Sequence, residues 1–290
     1  MLPALTIGLV ALMFAALFAV ERLVPLRRAR HGWKGGFLSR VALNLAISAM
    51  AFATAALVVR PAVKAALGWS ADAPFGLVHA LALPAWGVAV IAFLLMDLSF
   101  YYWHLINHRI PLLWRFHNVH HTDPDLDVST AFRFHFGEVG LSAIFRVLQV
   151  VLIGVPVGVF AAYELVFQAN TLFHHSNIRL PIRLERVLNR LLVTPRMHGI
   201  HHSQVHRENN SNFGVVFPWW DLVHRTLGLN VPQNRVAIGV PGYLRPDDNR
   251  LMFLLTMPFR RQRDYWRDES GKPVERDEAD LEPSARRLTE

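Results

Sequence analysis

Three long stretches without a charged side chain limit what this chain can fold into more than any other feature of it. Leu2 to Val20 carries no charge, Val41 to Val59 lies uncharged between Arg40 and Arg60, and Ala73 to Met96 is uncharged up to Asp97. Each reaches the roughly 20 residues that a membrane-crossing helix needs. No basic residue precedes the first stretch and six follow it before the second, which favours a retained helix over a cleaved secretory signal. A fourth apolar stretch, Val139 to Tyr163, is too long for one crossing and too short for two, and it is broken by Gly154, Pro156 and Gly158. A hairpin turning at Gly-Val-Pro fits it, with Arg146 snorkelling or paired inside. The expectation is an all-α integral membrane protein with about four membrane-embedded helical elements.

Arg22, Arg27, Arg28, Arg30, Lys34 and Arg40 fill the first loop, against Arg60 and Lys64 in the second. The excess predicts a cytoplasmic first loop, an external amino terminus, and a third span that delivers His104 to the cytoplasmic side just past its end. The net charge of +8 is spread along the loops without a nucleic-acid reading module, so it is assigned to anionic lipid headgroups and topology. Cysteine is absent, which removes thiolate-ligated haem, iron–sulfur clusters, cysteine–zinc sites and disulfides together.

Twelve of the 15 histidines fall between His104 and His206. His104 and His108 are four apart and share one helix face; His117, His120 and His121 stand at i, i+3 and i+4. A matching box, His198-Gly-Ile-His201-His202, follows about eighty residues later. So many imidazoles at one membrane face leave unpaired donors and acceptors unless something ligates them. Imidazole suits zinc, copper, iron and nickel, and one ion takes at most about six ligands, so two ions are favoured over one. Adjacent helical residues diverge by about 100°, which predicts that His120 and His121 serve different metals. His31, His79 and His224 have no supporting spacing and are read as ordinary surface or interface residues.

These residues carry a resemblance over about Asp97 to Gly228: the chain resembles the fatty acid hydroxylase/sterol desaturase superfamily of membrane di-iron oxygenases. Asp97-x-x-x-Tyr101-x-x-His104-x-x-x-His108 is similar to the family's first box and its lead-in, and His117-Asn-Val-His120-His121 to its second. Arg133-Phe-His135-Phe-Gly-Glu138 resembles its Arg-x-His-Pro-x-Glu segment, with Phe136 where proline is common. His174-His175-Ser-Asn177 resembles its histidine–serine–asparagine element, and Thr194-Pro195-Arg-Met-His198-Gly-Ile-His201-His202 its last box. Asn212-Phe213-Gly214 and Trp220-Asp221 look like the closing signature. Asn170 stands where some relatives carry the first histidine of the third element; of the pair that remains, His175 is favoured over His174 as ligand. The resemblance implies two iron ions held by His104, His108, His117, His120, His121, His174 or His175, His198, His201 and His202, with His135 a further possibility. It also implies roles for Asp97, Glu138 and Asn177 at the site, Asp97 and Glu138 orienting imidazoles or offsetting metal charge.

No serine or cysteine triad, His-Glu-x-x-His or nucleotide fingerprint is present, which disfavours hydrolysis. The resemblance implies oxidation of a lipid C–H bond by dioxygen, as hydroxylation or desaturation. Phe100, Trp103, Trp114, Phe116, Phe132, Phe134 and Phe173 are then candidate channel walls. No flavin or haem module is visible, so electrons are expected from a separate donor, cytochrome b5-like or a ferredoxin and its reductase. A histidine-lined metal transporter and a bis-histidine haem carrier are the rival classes; both are expected to place histidines inside the spans. The expected division is a transmembrane region over 1–92, a histidine-box catalytic domain over 93–229 and a cytosolic segment with a flexible tail over 230–290. The expected location is a bacterial inner membrane with the site facing the cytoplasm.

Overall fold

The computed structural model describes residues 4–28, 36–73 and 75–277, and every regular element among them is helical. In chain order the α-helices are α1 (Ala4–Leu23), α2 (Gly36–Thr54), α3 (Arg60–Asp72), α4 (Leu77–Ala80), α5 (Ala85–Arg109), α6 (Pro111–His121) and α7 (Phe136–Ile153). They continue with α8 (Val157–His175), α9 (Ile182–Leu188), α10 (Pro195–His201), α11 (His206–Asn209), α12 (Trp219–Val223) and α13 (Leu251–Thr256). Among the described residues, three segments are long and apolar enough to cross a membrane: Gly36–Ala80, Ala85–Arg109 and Phe136–Ile153. Their outward residues, among them Leu45, Phe52, Leu57, Trp86, Val90, Ile144, Leu148 and Leu152, are apolar and exposed. Such a belt is stable only against lipid or another apolar surface.

The second apolar stretch does not end at Arg60 as its flanking charges suggest. A π-helical turn over Ala55–Val59 carries α2 directly into α3, with Pro61 in the first turn of α3, where its missing N–H costs least. Val59, Val63 and Ala66 then pack on Ala143 and Val150 of α7. Arg60 and Lys64 are therefore helical residues rather than loop residues.

The fourth stretch is the expected helical hairpin. α7 ends at Gly154 in the left-handed region (φ 77°), and Pro156 caps the start of α8. A Cβ on Gly154 would lie 2.7 Å from both the His79 ring and the Phe75 carbonyl, so glycine is needed for space as well as for φ. Arg146 of α7 pairs with Glu164 of α8 at 2.6 Å and lies over the Phe100 ring, which binds the two arms together.

The turn between α6 and α7 is held by buried charge. Asp123 accepts from Arg40 and Asn44 of α2 (both 2.8 Å) and from Thr130 (2.7 Å), and Arg40 also pairs with Asp127. Arg133, fully buried, donates to the Val119 carbonyl (2.9 Å), Asn44 (2.8 Å) and Asn249 (2.7 Å). Arg40, counted above among the loop charges, is thus a structural ion inside α2. Burial alone would raise the Asp123 carboxyl, but Arg40 and Arg133 beside it hold it below its ordinary value.

The segment after Arg260 is packed as far as residue 277, contrary to the expected flexible tail. Arg263 pairs with Asp248 (2.8 Å), Trp266 stacks on Trp114, and Arg276 pairs with Glu208. The charge density that suggested disorder is spent on specific partners. Residues 278–290 lie outside the described part.

Candidate metal centre

α5 carries His104 and His108 within its last two turns rather than beyond its end, so these side chains are part of the spanning helix. α6 follows after the single residue Ile110, with Pro111 at its first position, and turns His117, His120 and His121 back toward α5. The hairpin returns α8, whose last residue is His175, and α10 brings His198 and His201, with His202 as its C-cap.

Two groups result. His104, His108, His117, His121 and His201 place one ring nitrogen each within 4.8 Å of one another, and so do His120, His175, His198 and His202. Nitrogen ligands about 2.1 Å from one ion stand roughly 3 to 4.2 Å from each other, so both groups come close to the dimensions of a coordination sphere. The Nε2 atoms of the second group lie 3.1 Å (His120 to His175), 2.9 Å (His175 to His198) and 3.1 Å (His198 to His202) apart.

The outer nitrogens say which atom is free to ligate. His104, His201 and His175 donate Nδ1–H to the carbonyls of Phe213 (2.9 Å), Ser211 (2.7 Å) and Thr171 (2.8 Å), and His117 donates to the Glu138 carboxylate (2.8 Å). A ring whose Nδ1 carries the proton keeps its Nε2 lone pair for a metal, the arrangement in which an outer hydrogen bond also fixes ring orientation. The Nε2 atoms of His108, His117, His121 and His201 are buried with no hydrogen-bond partner among the described residues. Buried polar atoms left in that state are costly unless an ion takes them, so the residues fit a pair of nitrogen-ligated metal ions. Burial, and after it the neighbouring imidazoles, push the basicity of His120, His121, His198, His201 and His202 well below the ordinary histidine range. Their lone pairs are unprotonated at neutral pH.

Other expected site residues are placed outside the two groups. His174 packs its ring 4.1 Å from that of His198, and its Nδ1 lies 3.3 Å from the Asn170 amide, but it adds no atom to either group. His135 caps α7: Nδ1 accepts from Gly137 N–H (2.9 Å) and Nε2–H donates to the Leu255 carbonyl (3.1 Å), so both nitrogens are used. Asp97 touches no histidine; it accepts from Tyr163, Trp220 and the backbone of Val216 and Phe217, tying α5 to the loop before α12. Asn177 clamps the backbone of Arg27 through both ends of its amide (2.9 and 2.8 Å). Glu138 alone of the three polar candidates contacts an imidazole. Of the aromatic candidates, Phe134 stacks on His120 (4.7 Å) and Trp114 lies against His108 (4.8 Å) and His121 (5.3 Å). Phe100 packs instead in the spanning core, Phe132 against Phe14 and Phe52, and Phe116 against His135.

Asn209 was not foreseen: its amide bridges the His121 ring (3.1 Å) and the His201 carbonyl (2.9 Å). No spacing marks it, because it reaches the site through the fold of the loop after α10.

A helical bundle with three membrane-length segments and two convergent imidazole groups defines the class of histidine-rich, membrane-embedded helical proteins. Residues 89–226 match the fatty acid hydroxylase family. It is 28% identical over 173 residues to the ornithine lipid hydroxylase of Rhizobium tropici, covering 60% of this chain and 50% of that protein. It is 30% identical over 139 residues to human alkylglycerol monooxygenase (47% and 29%) and 29% identical over 137 residues to human cholesterol 25-hydroxylase (46% and 48%). The chain thus spans half or less of the length of these relatives. No solved structure matches the chain.

Proposed function

We propose that this chain is a membrane-bound lipid hydroxylase whose nine converging histidines hold two iron ions. The observation that carries the reading is the division of one buried histidine cluster into two nitrogen groups, with outer hydrogen bonds on Nδ1 of His104, His117, His201 and His175 that leave Nε2 for a metal. Iron bound there supplies the power to reduce dioxygen with external electrons and to oxidise an unactivated C–H bond. The chain's own residues do the positioning. Glu138 keeps the proton on His117 Nδ1, and the carbonyls of Phe213, Ser211 and Thr171 do the same for His104, His201 and His175. Phe134 and Trp114 cover ring faces and limit water at the two groups.

Three relatives are named as hydroxylases or monooxygenases of ornithine lipid, alkylglycerol and cholesterol, which favours hydroxylation over desaturation and a membrane lipid as substrate. The groups sit at the α6 ends of the spans, and Arg28, Arg30 and Lys34, between α1 and α2 in the sequence, favour a cytoplasmic position in a bacterial inner membrane. The test is purification from cells grown under labelled dioxygen. Two irons per chain and one labelled oxygen in a host lipid are expected; zinc without iron, or a lipid pool without label, overturns the reading.

A further inference from the structure

A continuous file of aromatic rings leads from the surface to the first histidine group. His206, exposed on α11, packs its ring 4.5 Å from that of Trp266 in the C-terminal segment. Trp266 stacks on Trp114 at 5.9 Å and 25°, and Trp114, 5% exposed, lies 4.8 Å from His108. Nothing about the ligand set requires this arrangement: His206 and Trp266 belong to neither histidine group, and Trp266 lies forty residues beyond the family match. The surface around the outer end is basic. Arg109 and Arg207 are exposed and Arg115 partly so, and none of them pairs with a carboxylate among the described residues. Arg109 is close enough to bear on the His206 ring, and Arg115 on Tyr265. Of the neighbouring acids, Glu208 pairs with Arg276 and Asp264 with Arg267.

We infer that this face is the docking surface for an acidic one-electron carrier protein and that Trp266 and Trp114 carry its electrons to the first histidine group. The inference rests on the iron reading above. Conversion of R–H and dioxygen to R–OH and water consumes two electrons and two protons, so two carrier molecules, each oxidised by one electron, are used per turnover. Charge complementarity of this kind raises the encounter rate and fixes orientation, so it weakens with salt.

The probe is a plant-type [2Fe–2S] ferredoxin, an acidic low-potential carrier, used with the full chain. Binding is measured on zinc-loaded protein and reduction on iron-loaded protein without dioxygen. The double variant Arg109→Glu/Arg207→Glu should weaken ferredoxin binding by at least about tenfold and flatten its salt dependence. Trp266→Leu should leave binding unchanged and remove most of the reduction by ferredoxin, Trp266→Phe should retain part of it, and dithionite should reduce all of them at the wild-type rate. Binding indifferent to charge reversal overturns the docking surface. Equal slowing with ferredoxin and dithionite in both Trp266 variants makes Trp266 a packing residue and overturns the route. A wild type whose metal does not respond even to dithionite overturns the iron reading itself, an outcome distinct from the other two.

Discussion

Protonation of single imidazoles is where the chemistry of this centre is most exposed to test. His120, His121, His198, His201 and His202 are held neutral by burial, so the unfolded chain binds more protons than the folded one once pH drops below about 6.5, the ordinary histidine value. Stability therefore rises with pH up to that value and is lost progressively below it. Metal acts in the same direction because it needs the same lone pairs. Metal-stripped protein should show a lower unfolding midpoint at pH 5.5 than at 7.5; a midpoint equal at both sinks this account. Glu138 gives a second test at the same scale. Glu138→Ala removes the acceptor that orients His117, and metal affinity should fall by about 10- to 100-fold while the helix content stays unchanged. Unaltered affinity would mean that the Glu138 contact is incidental. The histidines were legible in the sequence because i, i+3 and i+4 spacing is itself geometry. That Asp97 and Asn177 bind backbone and side chains away from the two groups was not legible, because a motif records which residues recur, not which of their atoms face the site.

Among the elements, the α7–α8 hairpin does most to determine whether a site forms, since without its reversal His175 would end on the far side. Its turn was readable from Gly154 and Pro156, as few residues other than glycine tolerate φ near 77°. The tight fit of the turn against His79 was not readable, because it depends on a loop some eighty residues earlier. Gly154→Ala should cost about 1 to 2 kcal/mol for the left-handed backbone and more for the contacts at 2.7 Å. Gly158→Ala, within α8 and open on all sides, should be neutral or stabilising by up to about 1 kcal/mol. Thermal unfolding of the two variants measures this, and equal midpoints would show that the turn carries no strain or close contact. The run from α2 into α3 was missed for the opposite reason: Arg60 and Pro61 look like an end, but a π-turn absorbs the proline and tertiary packing carries the helix past both.

At the scale of the whole molecule, the two histidine groups share their supports. α6 gives His117 and His121 to the first and His120 to the second, and α10 gives His201 to the first and His198 and His202 to the second. Neither helix can shift to suit one group without moving the other. The Arg133 and Asp123 network fixes the loop just after α6, and the packed C-terminal segment lies over Trp114, so the framework is common as well. The sequence carried the split of His120 from His121 between two ions, but not the matching split of His201 from His198 and His202, which arises only once α6 and α10 face each other. Two or three imidazoles alone leave most of an ion's positions to water, so binding depends on both halves of the chain being in place. Iron content should therefore fall nearly to zero both in His108→Ala, which touches only the first group, and in His202→Ala, which touches only the second. The measurement is iron per folded chain. Two irons retained in either variant refutes a shared centre, and one iron retained in each would mean that α6 and α10 hold two positions that fill independently.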